Sequence, residues 1–479
     1  MSAGRYRRTK IVSTLGPVSS SEEMITHLIQ DGVNVFRLNS SHGQVEEHRK
    51  IIHRIQRIRK ELQTPVGILV DLEGPKIRTG HFDRDEVELV EGQPFFLTAQ
   101  EIRGDQNGVS ISYPQLPKEV HSGDIILLYD GLVGLKVLES DGVTIKTIVQ
   151  NSGTLSHRKG INVPGVDIGL PPLTDKDLEF LRLAVENDVE YVAQSFVRRP
   201  DDIDLCREEI RKLQGDIPII AKIETRQAMG YLKSILYRAN GVMVARGDLG
   251  VEIPTEDVPL AQKKIIRMAN QESKPVITAT QMLESMIENP RPTRAEASDI
   301  ANAIIDGTDA IMLSAETTVG KHPRESVQVM DHIALRIEEH LDELKSEYRG
   351  EDLFLEALLD SEEEAISRAC WDISRQLEIR VIITSTVTGK TARQVSKYRP
   401  NAMLVGTTPD PRTYFRLALV WGVLPVLIHK TNSTDEMIEK SVQTIVDGNL
   451  IRRGERVIIT AGIPWGHAGT TNLLKIHVC

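Results

Sequence analysis

Short, almost wholly apolar runs recur along the first two thirds of the chain, separated by longer stretches with helical spacing. They are KIVSTLG, VNVFRLN, VGILVDLEG, VEYVAQSF, IPIIAKIE, GVMVARGD, KPVITATQ and DAIMLSAE, eight in all. Runs this short and this uniformly apolar read as strands covered on both faces, as in a parallel sheet whose crossovers are helices. The segments between them carry helix starts: Ser20, Ser21, Glu22 and Glu23 offer overlapping capping-box spacings ahead of MITHLIQ. Four strands are entered through similar steps, DGVNVF, NDVEYV, NGVMV and DGTDAIM, a faint repeat of one helix-to-strand unit. Eight such units predict an α/β fold built on a closed (β/α)8 TIM barrel.

After the third run the pattern changes for about a hundred residues. EVELV, PFFLT, VSISY, DIILLY, LVGLKVL and VTIKTIV, separated by turns such as SDGV and NSG, predict a small all-β domain inserted in a barrel loop. Beyond the acidic EEHLDELKSEYRGEDLFLEALLDSEEE, strand and helix alternate again through RVIITS, AMLVGTT, LPVLIH, RVIITAG and LLKIHVC, which predicts a C-terminal α/β domain with a sheet of about five strands. The expected boundaries are 1–74 and 172–343 for the barrel, 75–171 for the insertion, expected as a β-barrel lid over the barrel mouth, and 344–479 for the last domain, expected to be regulatory.

Composition narrows the function. A chain of 479 residues exceeds a single core. With 58 Lys and Arg spread among 68 Asp and Glu, net charge −10, there is no basic field for nucleic acid. The longest apolar stretch, LALVWGVLPVLI, is shorter than the roughly 20 residues a bilayer needs, so no membrane partner is expected. Three scattered cysteines, Cys206, Cys370 and Cys479, with no signal-peptide pattern at the start, suit a reducing cytoplasm.

A barrel builds its site at the carboxyl ends of its strands. Those ends carry Arg37 and Asn39, Asp71, Ser195, Lys222 and Glu224, Arg246 and Asp248, Thr280, then Ser314 and Glu316. Any one of them would pass as a solvated or capping residue; nearly every strand ending this way points to a site. Glu224 and Asp248 end adjacent strands, an arrangement suited to holding a hard cation such as Mg²⁺ with room left for water and substrate. Lys222 lies two residues before Glu224 on the same strand face, where its ammonium can balance transferring negative charge.

VFRLNSSHG, VDLEGPKIRTG, IIAKIE, VMVARGDLGVE, SKYRP and above all VITATQMLESMIENPRPTRAEASDIANAIIDGTDAIMLSAET closely resemble the pyruvate kinase family, over essentially the whole chain. The resemblance implies phosphoryl transfer from phosphoenolpyruvate to ADP, the last step of glycolysis, with Mg²⁺ as cofactor and Mn²⁺ as a substitute. It implies that Arg37 binds the phosphoryl group and that Lys222 stabilises it in flight and then the enolate. Glu224 and Asp248 would be the Mg²⁺ ligands, the backbone at Gly247 and Asp248 the seat of the substrate carboxylate, and Thr280 a residue tied to enolate protonation. Asn39, Ser41, His42 and Arg78 match the nucleotide side, where Asp130 and Arg199 would add contacts; Asn39, Ser41, Asp71 and Leu72 match the monovalent-cation region. A homotetramer is the family expectation.

Two departures stand out. Potassium-requiring members commonly carry Thr and Glu where this chain has Leu72 and Lys76, so a fixed Lys76 ammonium near Asp71 is expected to replace the mobile cation. Val319 stands where some relatives carry a Lys proposed to join a proton network. In the last domain Ser385, Thr386, Thr388 and Thr391, with the backbone of Gly389 and Lys390, form a hydroxyl-rich loop at a helix start, suited to the phosphate of an allosteric sugar phosphate or AMP. Two other classes compete: a non-catalytic metabolite sensor, which would not need Arg37, Lys222, Glu224 and Asp248 together, and a Mg²⁺-dependent barrel lyase, which would not need the inserted domain, His42 or Arg78.

Overall fold

The computed structural model describes residues 6–341, 361–463 and 470–479. Eight parallel strands close into a barrel: β1 (Lys10–Thr14), β2 (Val35–Asn39), β3 (Gly67–Asp71), β4 (Tyr191–Gln194), β5 (Ile219–Ile223), β6 (Gly241–Ala245), β7 (Val276–Ala279) and β8 (Ala310–Leu313). Each pairs with its neighbours in sequence, and β8 returns to β1. Register aligns the strand ends: Arg37 lies opposite Thr14, Asp71 opposite both Asn39 and Ala193, and Lys222 opposite Met243.

Every position of β1, β3, β5 and β6 is buried, the burial on both faces that the unbroken apolar runs anticipate. Inward side chains Val12, Val35, Leu69, Tyr191, Ile220, Met243, Ile277 and Met312 fill the barrel, and Leu419 of the C-terminal domain joins them. A larger core lies between strands and helices. The helix after β1, Glu22–Gln30, begins at Ser21, whose hydroxyl accepts the Met24 N–H.

Between β3 and β4 the chain forms a β-domain with a seven-stranded and a two-stranded sheet and a core of its own, including Phe82, Phe95, Leu97 and Leu135. Three strands here escaped the sequence pattern: Ile77–Arg78, Gly153–Ser156 and Gly160–Asn162, short segments set among glycine and polar residues with no apolar run of their own. This lid is tied to the barrel by Asn162 Nδ2 donating to Glu252 at 3.0 Å and by Arg198, which donates to the carbonyls of Ile168 and Leu170 at 2.6 and 2.8 Å.

The C-terminal domain carries a five-stranded sheet in the order Val423–Leu427, Met403–Thr408, Val381–Ser385, Arg456–Ala461, Leu473–Val478, the last strand antiparallel. It grips the barrel base through Arg399, which is buried, pairs with Asp309 at 3.1 Å, donates to Asn270 at 2.7 Å and stacks on Trp421. The expected boundary at 343/344 lies outside the described residues. Among the described residues no helix is long and apolar enough to cross a membrane.

Candidate active site

Parallel registry brings the ends of β3, β4 and β5 together around one ammonium. Lys222 Nζ lies 2.9 Å from Glu224 Oε1 and 3.3 Å from Asp71 Oδ1, and it donates to Ser195 Oγ at 2.7 Å. Burial alone would drive this lysine toward its neutral form, but the Asp71 and Glu224 carboxylates outweigh it and hold the ammonium well above the ordinary lysine value. Asp71 is balanced from both sides: Arg37 Nε donates to it at 2.6 Å. Burial would raise its pKa, yet Lys222 and Arg37 keep it below the usual carboxylate range. Arg37 Nη1 also donates to Thr14 Oγ1 at 3.1 Å. This leaves Nη2 without a protein partner among the described residues.

Glu224 is differently placed. It is 1 % exposed, and its Oε2 accepts the Phe196 N–H at 2.6 Å. Burial pushes its carboxyl up, and Asp248 pushes in the same direction against the pull of Lys222. Its Oε1 makes no hydrogen bond, because the nearby Lys222 ammonium is not aligned for one. Glu224 thus holds the Lys222 ammonium on one oxygen while the Asp248 charge disfavours its ionised form, and a divalent cation shared by the two carboxylates would relieve that repulsion. Among the described residues no cluster of three or more His, Cys, Asp or Glu could hold a metal. Two carboxylates with water and substrate oxygens are a donor set suited to Mg²⁺ rather than to a metal caged by protein alone.

Lys76 departs from its expected place. Its ammonium pairs with Asp130 of the lid at 3.3 Å and with Asp248 at 3.5 Å, not with Asp71, whose oxygens Arg37 and Lys222 already claim. Gly160 makes the approach possible, since a Cβ there would come within 2.5 Å of Lys76 Cε. Leu72 is buried and its carbonyl accepts from Ser195 Oγ at 2.7 Å.

The expected nucleotide-side residues form a polar chain leading outward. Asn39 Oδ1 accepts the Ser41 N–H at 3.1 Å, and the His42 carbonyl takes a hydrogen bond from the His48 ring at 2.8 Å. Lys176 donates to the Ser41 carbonyl at 3.2 Å and pairs with Glu73 at 3.1 Å; Glu73 in turn pairs with Arg78 at 3.2 Å. Arg199 stands apart from the Lys222 cluster, paired with Asp167 of the lid at 3.2 Å. Sequence reading passed over Lys176 and Glu73, which acquire meaning only through this pairing.

Thr280 follows β7 with φ +67 and Gln281 follows with φ +54. Left-handed backbone at a β-branched residue costs on the order of 1–3 kcal/mol and marks a functional constraint when the surroundings enforce it. The Thr280 hydroxyl accepts the Gly247 N–H at 2.9 Å and donates to the Ala279 carbonyl at 2.7 Å. Val319 is 58 % exposed and offers no proton-carrying group.

In the C-terminal loop most hydroxyls turn inward. Ser385 Oγ pairs with Thr407 at 2.8 Å, Thr391 Oγ1 with Thr471 at 2.9 Å, and Thr386 Oγ1 accepts the Gly389 N–H at 2.9 Å. Gly389 has φ +79, a conformation that favours glycine. Lys390 pairs with Glu363 at 2.8 Å, and Thr388 is the exposed hydroxyl of the set.

Comparison with known proteins gives one answer. Residues 6–327 match the family model described as pyruvate kinase, barrel domain, and residues 364–477 that of pyruvate kinase, alpha/beta domain. A pyruvate kinase of Thermotoga maritima is 48 % identical over 471 residues, covering 98 % of this chain and 99 % of that protein. One from Bacillus licheniformis is 46 % identical over 476 residues, covering 98 % of this chain and 80 % of its own. The crystal structure of a pyruvate kinase from Cryptosporidium parvum superposes with a TM-score of 0.92 at 36 % identity, covering 99 % of this chain and 96 % of that one.

Proposed function

This chain belongs to the pyruvate kinase family, and we propose how its strand-end residues divide the work of the family's reaction. It is a phosphotransferase that moves the phosphoryl group of phosphoenolpyruvate to ADP, giving pyruvate and ATP, and its family uses a divalent metal. The observation that carries the assignment is the Lys222 ammonium, buried and held charged between Asp71 and Glu224. Phosphoryl transfer asks for positioning and fixed cations more than for a nucleophilic side chain.

In this reading Arg37, locked by Asp71 and Thr14, directs its remaining guanidinium donors at the phosphoryl oxygens. Lys222 stands where charge builds on the group in flight and then on the enolate oxygen. Glu224 and Asp248 hold Mg²⁺, with Mn²⁺ as a substitute. The bound cation would neutralise charge developing on the transferring oxygens. The Gly247 and Asp248 backbone seats the substrate carboxylate, and Thr280 serves protonation of the enolate. Asn39, Ser41, His42 and Arg78 face the nucleotide, with Asp130 and Arg199 approaching from the lid side, and closure of the lid excludes water. The cytoplasmic, homotetrameric setting common in the family completes the proposal.

The test of the reaction class is pyruvate release from phosphoenolpyruvate by the purified chain. Release should require both ADP and a divalent cation, with ATP formed in equal amount. Release without ADP would indicate a lyase, and no release would indicate a sensor.

Potassium independence is part of the same proposal. Lys76 supports it with a tethered positive charge that reaches Asp130 and Asp248 rather than Asp71, and so would act on the charge balance of the site from the Asp248 side. Activity is expected to be nearly equal in sodium, potassium and tetramethylammonium buffers of matched ionic strength. Lys76→Glu sets like charge against both carboxylates and should create a potassium requirement. A parent enzyme activated many-fold by potassium contradicts this.

Allosteric activation by a phosphorylated metabolite, a sugar phosphate or AMP, is proposed for the loop from Ser385 to Thr391. Support comes from the exposed Thr388 hydroxyl on a turn that the Gly389 N–H to Thr386 Oγ1 hydrogen bond fixes. The effector should lower the apparent KM for phosphoenolpyruvate by about 5- to 150-fold. Thr388→Glu places like charge on the exposed face without breaking the Thr386 bond to Gly389. It should abolish activation and leave effector-free kinetics intact; activation equal to the parent's would remove the loop from regulation.

A further inference from the structure

The end of β7 is held by a residue to which neither the sequence pattern nor the proposed chemistry gives a task. Arg246, the first residue after β6, is 8 % exposed, and its guanidinium reaches three consecutive carbonyls of the neighbouring strand end. Nε donates to Ala279 at 3.3 Å, and Nη2 to Thr280 at 2.5 Å and Gln281 at 3.2 Å. Nη1 is anchored on Asp299 Oδ2 at 2.6 Å, with Gln262 Oε1 at 3.5 Å. The two residues whose carbonyls Nη2 takes are the two in left-handed backbone. A β-branched residue does not keep that conformation unless its surroundings enforce it. The same carbonyl of Ala279 that Arg246 holds also receives the Thr280 hydroxyl proton.

We propose that Arg246 is a positioning residue for Thr280: its fork of donors fixes the strained turn and thereby sets the direction of the Thr280 hydroxyl. The inference rests on the reading of Thr280 as the residue tied to enolate protonation. A lysine cannot reproduce the effect, because one ammonium on a flexible stem does not span three carbonyls and a carboxylate in one plane. Arg246 is not expected to touch substrate, so its loss should appear in turnover and in proton transfer rather than in substrate affinity.

The experiment compares Arg246→Lys and Asp299→Asn, each in the parent and in Thr280→Ala. It measures kcat, the KM for phosphoenolpyruvate, and exchange of pyruvate methyl hydrogens with solvent deuterium, which is the protonation step run backwards. Arg246→Lys should lower kcat and the exchange rate together by roughly 10²-fold, the loss that a misplacement of about 1 Å brings, with KM within about twofold. On the Thr280→Ala background it should cost no more than about twofold further, because the residue it positions is gone. Asp299→Asn loosens the anchor at a partly exposed position and should show a smaller loss with the same dependence on Thr280. It decides the matter if Arg246→Lys does not fold. A loss that multiplies in full on the Thr280→Ala background, or one confined to KM, overturns the proposal. Thr280→Ala with parental turnover and exchange removes instead the reading of Thr280, and with it any need to position that hydroxyl.

Discussion

Lys222→Met is expected to lower kcat by at least about 10²–10³-fold while phosphoenolpyruvate and the divalent cation still bind. The reason lies in what surrounds the ammonium. Lys222 is the one cation that Asp71 and Glu224 share, so it stands fully charged inside a site with little water to screen it. An interaction of this kind gains strength as charge develops on the transferring group, and its loss falls on the transition state more than on the ground state. Removing one member of a buried ion pair commonly destabilises a protein. Here Asp71 keeps Arg37 and Glu224 keeps the Phe196 amide, so the fold should survive. Freed from its ammonium neighbour, Glu224 should bind the cation at least as tightly as before. Steady-state kinetics, a metal titration and a melting curve on the same variant separate these effects. Turnover within a factor of two of the parent, in a folded variant, contradicts the role given to Lys222.

The second large effect is expected for Glu224→Gln. The change keeps the shape of the side chain and an oxygen for the Phe196 N–H, but removes the negative charge from the oxygen that has no hydrogen bond. Opposite charges about 4 Å apart near a protein surface attract by about 4 kcal/mol, and each 1.4 kcal/mol is tenfold in affinity. Even after discounting for water, divalent-cation affinity should fall by roughly 10- to 100-fold, with a parallel loss of kcat at limiting cation that high cation restores in part. Asp248→Asn should behave alike but more mildly, because the Asp248 side chain is 30 % exposed against 1 % for Glu224 and its charge is better screened by water. Unchanged cation titrations in both variants would place the metal elsewhere.

The architecture was readable because each barrel strand is a short apolar run that needs no partner to be recognised, and because a barrel puts the residues that end those runs in one ring. Lys222, Glu224, Asp248, Arg37 and Thr280 all lie in that ring, which also holds Asn39, Asp71, Ser195, Arg246, Ser314 and Glu316; only the family resemblance gives Arg37 and Thr280 their tasks. Contacts made across the fold were not readable. Lys76 meets Asp130 and Asp248, which are 54 and 172 residues away in the chain, and its meeting them rather than Asp71 depends on where the lid strands and Gly160 place its stem. The strand Gly160–Asn162 was itself invisible, since three residues carry no period. Leu419 looked like part of one apolar stretch, yet it leaves the C-terminal domain to join the barrel interior. The left-handed turn at Thr280 left no mark either, because its enforcing contacts come from Arg246 and Gly247 at the start of the helix after β6.

The most direct test of the site is the relaxation of the phosphorus nucleus of phosphoenolpyruvate by enzyme-bound Mn²⁺, compared in the parent, Glu224→Gln and Asp248→Asn. If Glu224 and Asp248 hold the cation beside the group that Arg37 and Lys222 receive, the parent should relax this nucleus strongly in a saturable way. Both variants should lose the effect at the same Mn²⁺ concentration and regain it only at higher concentration, while Lys222→Met retains it. Strong relaxation that persists unchanged in both carboxylate variants would contradict the placement of metal and substrate at the ends of β5 and β6.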